Sequence, residues 1–171
     1  YLMSTTFASA VNYPVCVVPI GVAIADVNGD NRPDVVNTNS GSNSISVLLN
    51  QGGGIFMAAV NYPVSGSNPI VLAIADVNGD DRPDIVNANG GSNSLSVLLN
   101  LGSGLFTVAT FYPVGSDPNE VALIDVNGDG SPDIINSNTG SNTVSVLINL
   151  GGGTFAAAVP YAVGSNPTGV V

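Results

Sequence analysis

The sequence predicts an all-β repeat protein of four-stranded antiparallel propeller-type blades. The first observation is self-similarity. Tyr13, Tyr62, Tyr112 and Tyr161 are spaced 49, 50 and 49 residues apart, and Asp26, Asp76 and Asp125 are spaced 50 and 49. Asn50, Asn100 and Asn149 keep the same rhythm. A unit of that length suits a four-stranded propeller blade, typically about 40–50 residues. The second observation is short β-branched runs punctuated by Gly, Asn, Ser and Pro, with no capped helical apolar period. The third is one loop pattern that recurs at the same place in every unit.

The boundaries read as a fourth-strand fragment of a preceding unit over 1–18, repeats over 19–66, 67–115 and 116–164, and the start of a following unit over 165–171. Within the first repeat, Val22 and Ile24 alternate with Ala23 and Ala25, as in a half-buried strand. A second strand begins at Asp34-Val35-Val36-Asn37. Asn39-Ser40-Gly41-Ser42-Asn43 reads as a turn, because these residues bond their own backbone or tolerate left-handed conformations. Ser44 to Asn50 alternates as a third strand, and Ile55 to Tyr62 is expected as the fourth after a glycine turn. Phe7 to Val15 resembles a fourth strand, and Gly169-Val170-Val171 the start of a first. Three full units with partial units at both ends are too few for a closed ring of about four to eight blades. The array is therefore either open, completed by neighbouring chains, or part of a longer repeat chain; head-to-tail contacts between copies make rings or filaments.

The recurring loop is Asp26-Val27-Asn28-Gly29-Asp30-Asn31-Arg32-Pro33-Asp34, repeated over 76–84 and 125–133. Positions 1, 3, 5 and 9 offer side-chain oxygens: Asp26, Asn28, Asp30 and Asp34; Asp76, Asn78, Asp80 and Asp84; Asp125, Asn127, Asp129 and Asp133. Position 7 would add a backbone carbonyl from Arg32, Arg82 or Ser131, which explains why its side chain varies. Ca²⁺ needs six to eight oxygens at about 2.3–2.6 Å, and a nine-residue loop can deliver them only if it folds tightly. Position 6 holds Asn31, Asp81 and Gly130, residue types that accept positive φ. Pro at position 8 favours an extended residue before it. Oxygen-only ligation disfavours zinc and copper. The expectation is three structural Ca²⁺ sites. An EF-hand reading fails, because position 12 is Asn37, Asn87 or Asn136 and a β-type segment follows.

Composition narrows the function. The chain of 171 residues is 44% hydrophobic and 8% charged, with no His and a formal charge of −10. Most of its 12 acids lie in the three loops, and its 2 basic residues are both loop arginines. No basic patch exists to neutralise phosphates, so a nucleic-acid partner is not expected. No apolar run approaches the roughly 20 residues of a membrane helix. Tyr1-Leu2-Met3 shows no signal peptide, so the chain is expected to start after processing or inside a longer protein. Cys16 is the single cysteine and reads as a small buried residue.

The run Val22-Ala23-Ile24-Ala25-Asp26 through Asn37 resembles an FG-GAP or VCBS-type repeat, the blade of integrin α-chain propellers and of many secreted microbial surface proteins. That resemblance covers all three units. It implies a β-propeller architecture, structural calcium and an extracellular or cell-surface location, with the loop residues named above as ligands.

The expected function is a non-catalytic extracellular module, used for adhesion or for a filament built by head-to-tail stacking. Self-association, continuation in a longer chain, or a glycan or surface-protein ligand would supply its partners. The alternative is a carbohydrate-binding propeller segment. Tyr13, Tyr62, Phe111, Tyr112 and Tyr161, beside the Phe7, Phe56, Phe106 and Phe155 series, are its candidate platforms, although their periodic placement suits packing between blades. An enzyme is not expected: acid–base or nucleophilic chemistry would have to rest on one Glu, Glu120, and one Cys.

Overall fold

The computed structural model describes residues 9–170. Among them there is no helix, and the regular structure is all strand. The first unit contributes β1 (Pro19–Ala25), β2 (Asp34–Asn39), β3 (Ser44–Leu48), β4 (Asn50–Gly52), β5 (Ile55–Phe56) and β6 (Val60–Pro63). The second repeats the series as β7 (Pro69–Ala75), β8 (Asp84–Asn89), β9 (Ser94–Leu98), β10 (Asn100–Gly102), β11 (Leu105–Phe106) and β12 (Thr110–Pro113). The third runs β13 (Pro118–Ile124), β14 (Asp133–Asn138), β15 (Thr143–Leu147), β16 (Asn149–Gly151), β17 (Thr154–Phe155) and β18 (Val159–Ala162). Each unit folds one antiparallel sheet, in the orders β1-β2-β3-β6, β7-β8-β9-β12 and β13-β14-β15-β18. Three propeller-like blades in an open array are thus the architecture.

One element differs from the sequence reading. The single fourth strand expected over Ile55 to Tyr62 is two pieces. Ile55–Phe56 folds back on Asn50–Gly52 as a side hairpin, and only Val60–Pro63 joins the blade. Gly52, Gly53 and Gly54 all have positive φ (86°, 63° and 79°), so the chain reverses before it can reach the sheet. The Met57 N–H then bonds the Leu49 carbonyl at 2.8 Å and holds the break in place.

Alternation along the strands builds two cores rather than one. Val27, Val36, Ile45 and Val47 of the first blade meet Leu72, Ile85, Leu98 and Phe106 of the second. Val77, Val86, Leu95 and Val97 of the second meet Val121, Ile134, Leu147 and Phe155 of the third. Neighbouring Ile85 and Val86 therefore serve opposite junctions, and both are fully buried. Stability accumulates through such nearest-neighbour interfaces, as in other repeat proteins.

The first strands come closest, β1 against β7 and β7 against β13. At Gly21 a Cβ would lie 2.4 Å from the Ile70 carbonyl, so this approach excludes a side chain. The Thr38 hydroxyl bridges the two strands, accepting from the Gly21 N–H and donating to the Ile70 carbonyl, both at 2.9 Å. Buried amides bond across each sheet: Asn39 Nδ2 donates to Ser46 Oγ, as Asn89 does to Ser96 and Asn138 to Ser145, all at 2.9 Å, while Asn87 Oδ1 and Asn136 Oδ1 find no partner among the described residues.

The expected fourth-strand fragment begins at Phe7, outside the described residues, and residues 9–18 form no strand. This segment nonetheless docks as an inter-blade linker does. Ser40 and Gly41 donate to the Val18 and Val17 carbonyls, as Gly90 and Gly91 donate to those of Asn68 and Ser67. At the other end, residues 163–170 form no strand, while Val171 lies outside the description. The Asn166 N–H bonds Asn142 Oδ1 just as the Asn68 N–H bonds Asn43 Oδ1.

Candidate metal centre

Each nine-residue loop connects the first strand of a blade to the second. In the first blade Ala25 pairs with Asp34, so the loop starts and ends at one paired position. Its bend depends on left-handed backbone at Gly29 (φ 81°) and Asn31 (φ 62°), repeated at Gly79 and Asp81 and at Gly128 and Gly130. The residue types expected to accept positive φ at position 6 do adopt it.

The turn aims successive N–H groups at the first aspartate. Asp26 Oδ1 accepts from Gly29 at 2.8 Å and from Asp30 at 3.2 Å, and Oδ2 accepts from Asn31 at 2.6 Å. Asp76 accepts from Gly79, Asp80 and Asp81, and Asp125 from Gly128, Asp129 and Gly130. Burial acts to raise the pKa of Asp26 and Asp76, but the backbone N–H groups outweigh it and hold both below the usual value. At Asp125 the N–H groups of Gly130 and Gly128 dominate and push in the same direction.

Positions 3 and 5 lie in the same small space. The Asp30 N–H faces both Asp26 Oδ1, at 3.2 Å, and Asn28 Oδ1, at 3.0 Å. Asn28 Nδ2 donates to Asp30 Oδ2 at 2.9 Å, with the counterpart at Asn78 and Asp80 also 2.9 Å and that at Asn127 and Asp129 2.8 Å. Asp30 and Asp80 are further paired with the guanidinium groups of Arg32 and Arg82. Each arginine also donates from Nε to a backbone carbonyl, of Asn50 or Asn100, tying the loop to the side hairpin. Ser131 cannot do this, so Asp129 lacks an arginine partner within its loop. A small polar cleft lies between Asp76–Gly79 of one loop and Gly130–Pro132 of the next.

Position 9 is differently placed. Asp34, Asp84 and Asp133 are fully buried. Asp84 accepts the Val77 N–H at 2.9 Å on one oxygen and the Asn100 N–H at 2.7 Å on the other. Asp34 makes the matching bonds to Val27 and Asn50, and Asp133 to Val126 and Asn149. This carboxylate joins the loop to the end of the third strand. Burial raises the pKa of Asp84, against its two N–H bonds, and repulsion from Asp80 and Asp76 adds to the rise. Among the described residues, no three acidic side chains converge on one point.

The donor chemistry nevertheless fits a hard cation. Every side-chain donor in each loop is oxygen, positions 1 and 3 face one N–H, and the carboxylates of positions 1 and 5 repel that of position 9 in the second loop. Asp30 and Asp80 share a carboxylate oxygen with an arginine, whereas Asp129 does not.

A feature that the sequence reading missed is the asparagine after each third strand. Asn100 Nδ2 donates to Val27 O of the preceding blade and to Pro83 O of its own, both at 2.9 Å. Asn149 does the same to Val77 O and Pro132 O. These residues seat one blade's loop on the next blade. Their 49–50 residue rhythm was the available signal, but nothing local discloses a partner in another unit. The recurring aromatics are packing residues: Tyr13, Tyr62 and Tyr112 meet Phe56, Phe106 and Phe155 edge to face at 5.5, 5.5 and 5.6 Å. Tyr62 OH also donates to the Gly104 carbonyl at 3.1 Å.

The model of a family described as FG-GAP-like repeat matches the chain at residues 26–87, 76–136 and 125–171. No curated protein sequence matches it. Among solved structures, a protein of unknown function from Desulfotomaculum acetoxidans aligns over 91% of this chain and 47% of its own, at TM-score 0.67 and 18% identity. An Agrocybe aegerita lectin described as recognising non-reducing terminal N-acetylglucosamine aligns over 81% and 37%, at TM-score 0.57 and 26% identity. Virginiamycin B lyase from Staphylococcus aureus aligns over 89% and 44%, at TM-score 0.62 and 15% identity. The chain spans less than half the length of each of these structures.

Proposed function

The chain belongs to the FG-GAP-like repeat family, and on that premise we propose that it is a calcium-stabilised, non-catalytic extracellular module that acts by adhesion or by head-to-tail stacking. The observation that supports this best is the threefold loop, which links the first strand, the second strand and the end of the third in every blade. Asp26, Asn28, Asp30 and Asp34, with their counterparts in the other two loops, are the proposed side-chain ligands. The carbonyls of Arg32, Arg82 and Ser131 are the proposed backbone ligands. A bound Ca²⁺ would offset the repulsion among carboxylates that the fold brings together. The residues themselves close the loop and join it to the sheet.

The chain is rich in packing faces and poor in groups that move protons, which is why we assign it no reaction. Extracellular placement follows from the family resemblance. No helix among the described residues is long and apolar enough to cross a membrane.

Calorimetric melting with Ca²⁺ and with EGTA tests the metal reading. A ligand that binds only the folded state must raise Tm. An unchanged Tm would sink the calcium proposal.

The second reading is carbohydrate binding, favoured by the 26% identity to the lectin. Tyr62 and Tyr112 are occupied in packing, which leaves Tyr161, 55% exposed, and Phe111, 47% exposed, as the aromatics to test. Glycan-array binding that is lost in Phe111→Ala, with melting unchanged, would favour a lectin. A silent array would leave the stacking module.

A further inference from the structure

We infer that the third blade carries an open arginine socket, between its own loop and the loop of the second blade, and that this socket binds the guanidinium of an arginine side chain on a partner protein. The first two blades fill the equivalent sockets themselves, and their contacts define what the third one receives. A partner chemistry of this kind goes beyond the calcium-stabilised module and needs no metal.

In the first blade the Arg32 guanidinium pairs with Asp30 Oδ2 and donates from Nε to the Asn50 carbonyl at 2.9 Å. In the second, Arg82 does the same to Asp80 Oδ2 and to the Asn100 carbonyl at 3.0 Å. Each stem runs past a glycine of the side hairpin: Cδ lies 3.7 Å from where a Cβ on Gly52 or Gly102 would stand. At Gly151, the same place in the third blade, nothing lies within 4 Å of that point. Ser131 stops short, and a cleft of about 130 Å³ opens along Asp76, Gly79, Gly130, Ser131, Gly151 and Gly152. That is well under the roughly 300 Å³ of a pocket for a whole small molecule, so the cleft suits one side chain.

Both acceptors stay where an arginine needs them. The Asn149 N–H bonds Asp133 Oδ1 at 2.8 Å, and the Gly151 N–H bonds Asn149 Oδ1 at 2.9 Å; the matching bonds at Asn100 are 2.7 and 2.8 Å. The Asn149 carbonyl is therefore framed as the Asn100 carbonyl is. Asp129 accepts the Ser131 N–H on Oδ1 and Asn127 Nδ2 on Oδ2, both at 2.8 Å, as Asp80 accepts from Arg82 and Asn78 at 3.0 and 2.9 Å. The carboxylate thus keeps the pose of a paired one without a guanidinium of its own. A carbonyl and a carboxylate oxygen so placed take Nε and Nη2 of one planar guanidinium, whereas a lysine ammonium, a point donor on a flexible stem, matches the pair poorly. The two basic residues of the chain are arginines already seated in their own loops, so the occupant comes from outside these blades. A formal charge of −10 favours a basic partner.

The test is an amide NMR titration of the full chain with Nα-acetylarginine amide and, separately, with Nα-acetyllysine amide. The arginine probe should shift the amides of Gly130, Ser131 and Gly151 saturably. It should bind about tenfold tighter than the lysine probe, the scale of one further hydrogen bond. Ser131→Arg copies the other two loops, so it should fold, fill the socket from within and abolish the response. Arg82→Ser should open a second socket, seen as a new saturable shift at Gly102. Absence of a saturable shift, equal binding of the two probes, or a response that survives Ser131→Arg would each overturn the socket. An Arg82→Ser variant that gains no second response would overturn the claim that the arginine side chain is what closes it. Titration with Ca²⁺ in excess keeps the loop oxygens from acting as free metal sites. The EGTA melt reads the calcium proposal separately, and a flat melt leaves the titration readable.

Discussion

Truncating Asn100 should cost far more than truncating Asn50, although the two occupy equivalent places in adjacent blades. Asn50 Nδ2 donates to Pro33 O, and its Oδ1 accepts the Gly52 N–H, both at 2.8 Å. Asn100 keeps both bonds, to Pro83 O at 2.9 Å and from Gly102 at 2.8 Å, and adds the bond to Val27 O in the preceding blade. Asn100 is 1% exposed, and the Val27 carbonyl is capped in the same buried seam. A neutral hydrogen bond contributes about 1 kcal/mol net, and orphaning a buried acceptor costs about 1–3 kcal/mol. Asn50→Ala should therefore lose about 1–2 kcal/mol and Asn100→Ala about 3–5 kcal/mol. Asn149→Ala should resemble Asn100→Ala, because it caps Val77 O in the same way. Urea unfolding followed by far-UV circular dichroism measures the difference. Equal losses at Asn50 and Asn100 would refute the claim that the inter-blade bond separates them.

Three further substitutions probe the local chemistry. Val18→Asn should stabilise the chain by about 1 kcal/mol in urea unfolding, by relieving a β-branched residue at positive φ; a loss of stability would contradict the strain. Arg82→Ser, which copies the native Ser131, should cost no more than about 1 kcal/mol, because the Arg82–Asp80 pair is solvent-exposed and such pairs contribute little; a larger loss by thermal melting would show that its bond to the Asn100 carbonyl matters more. Asp84→Asn should cost about 2–4 kcal/mol with or without calcium, because an amide can accept only one of the two N–H groups that the carboxylate serves. If added Ca²⁺ erases the Asp84→Asn defect in urea unfolding, the joining role assigned to Asp84 is wrong.

The repeat, the strand order within a blade and the positive φ at Asn31 and Asp81 were legible because each depends on residues close in sequence. The fourth strand was misread as continuous, since Ile55 to Val60 is one unbroken apolar run. What breaks it is the triple-glycine reversal acting with the Leu49 carbonyl. The loop aspartates read as one class of oxygen donor, but the fold divides them. Asp26 is wrapped by N–H groups of its own turn, whereas Asp34 is buried and reaches Asn50, sixteen residues on. That separation depends on the third strand ending beside the loop, which no spacing within the loop encodes.

By itself the sequence determined the blade. A 49–50 residue period, β-branched alternation and turn residues suited to left-handed backbone are local properties, and local propensity settles them. Only the tertiary structure decided which apolar face belongs to which junction, because Ile85 and Val86 are alike in composition and differ only in the side of the sheet they occupy. It also decided that Asn100 reaches Val27, seventy-three residues away, and that Tyr13 packs edge to face on Phe56 and bonds the Gly54 carbonyl. Burial and hydrogen-bond partnership are properties of neighbours in space, and in a stacked repeat those neighbours lie a full unit away along the chain.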